Sequence, residues 1–88
     1  MQFNDVQNLI VEIIKNRLDY HGQFITADMF DQKLLGENFG LKARDLVELL
    51  FILENELKIR FPQNDIAAGR FSTINQIADL ALRAMSYN

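Results

Sequence analysis

The chain has 88 residues, 49% hydrophobic and 24% charged, a size and balance that give one self-folding domain over 1–88 and exclude a disordered segment. A formal charge of −3 and a pI of about 4.9 argue against a nucleic-acid binder, which needs a basic stripe to neutralise phosphates. Without cysteine there are no disulfides, thiolate zinc sites or cysteine nucleophiles, and one histidine cannot build the usual zinc constellations, so no metal site is expected.

Val6, Leu9, Ile10, Ile13, Ile14 and Leu18 recur at helical spacing and predict a first helix, capped by Asn4 or Asp5 and ended at His21-Gly22. Residues 1–16 include Asp5, Glu12 and Lys15 and lack both a basic leader and an unbroken apolar run, so they do not read as a targeting signal. No stretch approaches the roughly 20 apolar residues of a membrane span. The expectation is a soluble, cytoplasmic protein.

Residues 19–40 are long for a connection. Phe24, Ile25, Met29, Phe30, Leu34, Leu35 and Phe39 give that stretch enough apolar surface to pack, with a short helical turn after Thr26. A second helix is predicted over about 41–58, its buried stripe centred on Leu46, Leu50, Leu53 and Leu57 with Leu49 at the edge. It stops before Phe61-Pro62, because proline lacks a donor and disfavours helix in the residue before it. A short third helix falls within 63–70, with Ile66 and Ala67 inward and Gly69 ending it. The last helix begins at Ser72 or Thr73, where Thr73 and Gln76 have capping-box spacing, and buries Ile74, Ile77, Ala78, Ala81 and Met85. These elements make an all-α four-helix bundle: three main helices, one short helix and a long first loop.

Three features of this layout resemble the acyl and peptidyl carrier protein family. Leu35-Gly36-Glu37-Asn38-Phe39-Gly40-Leu41 looks like the end of the family's long first loop. Asp45-Leu46-Val47-Glu48-Leu49-Leu50 matches the start of its second helix. Ile59-Arg60-Phe61-Pro62, then Phe71-Ser72-Thr73-Ile74 and Ile77-Ala78-Asp79-Leu80, resemble the exit from that helix and the entry to the last. The likeness covers about residues 30–82, and the first helix only by pattern. It implies an acyl-carrier-protein-like bundle.

Family function rests on aspartate-serine-leucine at the start of helix two, where the serine hydroxyl takes a phosphopantetheine arm from coenzyme A. Aligning Gly40-Leu41 and Asp45-Leu46-Val47-Glu48 without a gap places Lys42-Ala43-Arg44 on that motif, and all three residues depart. The attachment position is Ala43, whose methyl group cannot attack a phosphoanhydride. Residues 28–70 contain no serine, threonine, tyrosine or cysteine, so a one-residue shift does not restore the motif. Ser72 is expected to cap the last helix and Ser86 to lie in a fraying tail; neither has the family's setting.

Carrier proteins meet their enzymes through helix two, and a helical wheel places Arg44, Val47, Glu48, Phe51 and Asn55 opposite its stripe, flanked by Glu54. Val47 and Phe51 stand one turn apart among charges, as a small docking site requires. Their alternative is burial beneath the long first loop. The carboxylates Asp45, Glu48, Glu54 and Glu56 fit the family's acidic helix or, more simply, a solvated face. Lys42 and Arg44 run against that pattern and would repel the basic patch of an ordinary carrier partner. His21 beside Asp19 and Tyr20 reads as a helix-end or surface histidine, and Asp28 and Asp31 read as turn and cap residues, not metal ligands.

The resemblance therefore implies a carrier-related protein without its own arm: a monomer, not an enzyme. It would act as a non-covalent binding or regulatory partner of a biosynthetic or peptide-maturation enzyme, in a setting such as secondary metabolism. One alternative is a working carrier modified at an unexpected residue. Another is an unrelated helical adaptor that shares the bundle by convergence.

Overall fold

The computed structural model describes residues 1–18, 20–22 and 24–86. Its elements in chain order are α1 (Phe3–Arg17), a 3₁₀ turn (Ala27–Met29), α2 (Ala43–Leu57), α3 (Gln63–Ala67) and α4 (Ile74–Ser86). Among the described residues there is no strand, and the chain is a small all-helical bundle.

α1 starts a turn earlier than the sequence indicates, with Gln2 as its cap. The Gln2 amide donates to Asp5 Oδ2 at 2.8 Å, so Asp5 caps from the third helical position and sets its charge at the positive end of the helix. The helix also ends earlier, at Arg17. Leu18 turns to extended backbone, φ −105°, which carries its side chain back into the core. Val6, Ile10, Ile13 and Ile14 are buried, and this face packs along α4 and meets α2.

α4 begins as its capping-box spacing predicts. Thr73 Oγ1 accepts the Gln76 amide hydrogen at 3.1 Å, and Ile74, Ile77, Ala78, Leu80 and Ala81 are buried. Met85, expected inside, is half-buried, and Ser86 is the last helical residue. The long first loop is fastened to the start of this helix. The Asn75 amide donates to Phe30 O at 3.1 Å and the Leu34 amide to Ser72 O at 2.8 Å. The Asn75 side chain donates to Asp31 at 2.7 Å and accepts from Gln7 at 2.6 Å, which ties loop, α4 and α1 together. Leu34, Phe39 and Leu41 are buried in the core, whereas Phe24 and Leu35 are exposed.

α2 ends at Lys58, whose φ of 57° and ψ of 46° place it in the left-handed region. That reversal brings Ile59 and Phe61 inside, where Phe61 meets Phe71 edge-on at 5.2 Å. α3 follows from Pro62 and stops at Gly69, φ 81°. Ile66 is half-buried and Ala67 exposed, because a five-residue helix turns only one edge inward. The radius of gyration is 12.0 Å, and about 12 Å is expected of one compact core at this chain length.

The stripe on α2 differs from the sequence wheel. Leu49 and Leu53 are fully buried and Asp45 is 5% exposed, while Leu46, Leu50 and Leu57 are half-buried flanks. At about 100° per residue the buried centre is rotated by about 60° from the expected one. Leucines on the wheel weigh equally, but the neighbouring elements do not press on them equally. The Asp45–Leu49–Leu53 line is the buried one, and Asp45 is accommodated there because its carboxylate accepts the Lys42 amide hydrogen at 2.8 Å.

Candidate functional site

Ala43 is the first residue of α2 and is exposed. It follows Lys42, whose extended backbone turns the chain into the helix. This corner carries a methyl group between two exposed cations, Lys42 and Arg44. No described hydrogen bond or ion pair engages the side chain of either cation. Asp45, next in sequence, is turned inward and bound to the backbone, and it pairs with neither cationic side chain.

The rest of the outer face follows from the buried one. With Leu49 and Leu53 against the core, Phe51 lies close to the middle of the opposite side at helical spacing. It is 62% exposed, and Val47, one turn before it, is 50% exposed. Arg44, Glu48 and Asn55 surround the pair and are all exposed. Five of the six residues singled out from the sequence thus share one outward surface. The long first loop leaves Val47 and Phe51 uncovered.

Glu54 stands apart. It is half-buried, and its Oε2 accepts the Phe61 amide hydrogen at 2.9 Å, so it anchors the chain where it folds back after Lys58. Glu56 is likewise engaged, with Arg17 of α1 at 3.4 Å. The carboxylates along α2 divide accordingly: Asp45, Glu54 and Glu56 bind within the fold, and Glu48 faces outward.

Two side chains that the sequence predicts as loop core are exposed. Phe24 is 83% exposed, with Lys15 Nζ 6.0 Å from its ring centre, and Leu35 is 54% exposed. Apolar character alone carried no signal of their exposure. Both lie on the loop, where no periodicity separates inside from outside.

Several other hydroxyls and carboxylates are held in structural contacts. Ser72 Oγ donates to Gly69 O at 3.1 Å, and Ser86 Oγ to Arg83 O at 2.8 Å. Both serines lie at or within α4, not at the entrance to α2. Thr26 donates to Asp28, and Asp31 accepts from Asn75. His21 is exposed, and its neighbour Asp19 lies outside the described residues. Among the described residues no three His, Asp or Glu side chains gather as a metal site, and no helix is long and apolar enough to cross a membrane.

An open cleft of about 580 Å³ lies where the end of α2, α3 and α4 meet. Ile59 and Leu80 are among its lining residues, with Glu54, Lys58, Asp65 and Arg83 around them. Asp65 pairs with Arg70 at 2.6 Å and Arg83 with Asp79 at 2.7 Å, so much of its charge is matched internally. The outer face of α2, by contrast, combines unpaired cations with uncovered apolar surface. No protein-family model, curated protein or solved structure matches the chain.

Proposed function

We propose that this chain is an arm-less relative of the acyl and peptidyl carrier proteins. In this reading it binds a biosynthetic or peptide-maturation enzyme non-covalently through the outer face of α2, as a monomeric cytoplasmic binding or regulatory subunit. The element order supports the reading: a long helix, a long loop with one helical turn, a second long helix, a short helix and a last long one. So does Ala43 at the opening of α2, a position with no oxygen to carry a tether.

The observation that carries the proposal is Phe51, 62% exposed beside a half-exposed Val47, on a helix whose other side is already sealed. Burying a large apolar side chain completely stabilises by roughly 1.5–3 kcal/mol. The exposed portions of these two therefore offer about 2–3 kcal/mol to a partner, or roughly 30- to 150-fold in affinity. That suffices for a binding hot spot ringed by polar groups. Arg44, Glu48 and Asn55 supply the ring.

The test is an affinity capture from the native host, with bound proteins quantified for the wild type and for the Val47→Glu/Phe51→Glu double variant. The proposal expects at least one specific partner to be lost, and retention of every partner would refute it. Incubation with coenzyme A and a broad phosphopantetheinyl transferase, read by intact mass, separates the alternative. No mass change is expected, and the gain of one arm would make the chain a working carrier modified elsewhere.

A further inference from the structure

The charges beside Phe51 are not evenly spread. Lys42, the residue before α2, and Arg44, in its first turn, are both exposed at the start of the helix. Asp45, the carboxylate nearest in sequence, is buried and bound to the Lys42 amide, so it offsets the potential of the helix start and forms no ion pair with either side chain. Glu48 is the one exposed carboxylate between that corner and Phe51. The outer face therefore runs from a positive end, past one negative charge, to an uncovered aromatic ring. It does so on a chain whose formal charge is −3.

From this we infer that the partner of the α2 face is a protein segment that sets carboxylate side chains against Lys42 and Arg44 and an apolar pocket over Phe51. The inference rests on the docking reading above and adds the partner's chemistry to it. Opposite charges across a rim speed encounter and fix register, whereas a basic segment would be repelled at this corner. A second copy of the chain fits poorly. Val47 and Phe51 fall far short of the roughly 800 Å² per partner of a stable interface, and antiparallel pairing about them brings the two Glu48 side chains together. Nucleic acid fits poorly too, since two cations with Glu48 between them and the aromatic make a short, interrupted basic patch.

The experiment pans the immobilised full chain against a display library of random peptides about four helical turns long. Enriched peptides are synthesised and their affinities measured for the wild type, Phe51→Glu and Lys42→Glu/Arg44→Glu, with circular dichroism confirming that both variants are helical. The expected peptides carry Asp or Glu near a bulky apolar residue and lose binding with Phe51→Glu. With Lys42→Glu/Arg44→Glu they bind about tenfold more weakly at low salt, and the difference shrinks as salt is raised. Peptides that are neutral or basic, or that ignore the double charge reversal, overturn the charge assignment alone. Peptides that ignore Phe51→Glu overturn the docking reading as well. A library yielding no binder, or tight binding of a single-stranded oligonucleotide through Lys42 and Arg44, also overturns the inference.

Discussion

Truncating three side chains on α2 to alanine, one at a time, tests which way the helix faces. Leu49 is fully buried, so Leu49→Ala removes three carbons' worth of transfer energy, about 2.4 kcal/mol, and leaves a cavity that raises the loss to about 3–4 kcal/mol. A chain of this length is stable by about 4–13 kcal/mol in total, which makes that loss a quarter of the whole or more. At about 4–8 °C per kcal/mol, the melting temperature should fall by roughly 12–30 °C. Leu46 is half-buried, and Leu46→Ala should cost about half as much. Phe51→Ala should change stability by no more than about 0.5 kcal/mol, because most of the ring is in solvent and alanine is the better helix former. Urea unfolding followed by circular dichroism measures all three, provided the slopes agree. If Leu46→Ala costs as much as Leu49→Ala, or Phe51→Ala costs more than about 1.5 kcal/mol, the helix is rotated from the orientation described and the outer face is misassigned.

Two further outcomes follow from the ends of the helices. Thr73→Ala removes the oxygen that accepts the Gln76 amide hydrogen and should destabilise by about 1 kcal/mol in the same unfolding assay, with Thr73→Ser recovering most of it. Lys58→Gly relieves a side chain held at φ 57° and should raise stability by about 0.5–1 kcal/mol.

Much of the fold was legible because periodicity and capping chemistry are local. Thr73 with Gln76 marked the start of α4, Phe61-Pro62 marked the end of α2, and Thr26 preceded a 3₁₀ turn as expected. The errors arose where distant contacts decide. Leu18 could have extended α1, but the core draws it out of the helix, so α1 stops at Arg17 and not at His21-Gly22. Asp45 has the spacing of an acidic outer face, but its carboxylate binds the Lys42 amide and its side chain is buried. Glu54 looked like a rim residue, but its carboxylate reaches an amide seven positions away in sequence, which no wheel can display. Val47 and Phe51 stood out as apolar residues among charges, and their exposure on α2 agrees with that pattern.

The most direct measurement places a photoreactive benzophenone amino acid at position 51 and, in a separate variant, at Arg83 on α4, then irradiates cells that make the protein. A specific protein adduct is expected from position 51, lost when Val47→Glu is added, and none of that adduct from position 83. Equal adducts from both positions, or none from position 51, would contradict the claim that the outer face of α2 is where this protein meets its partner.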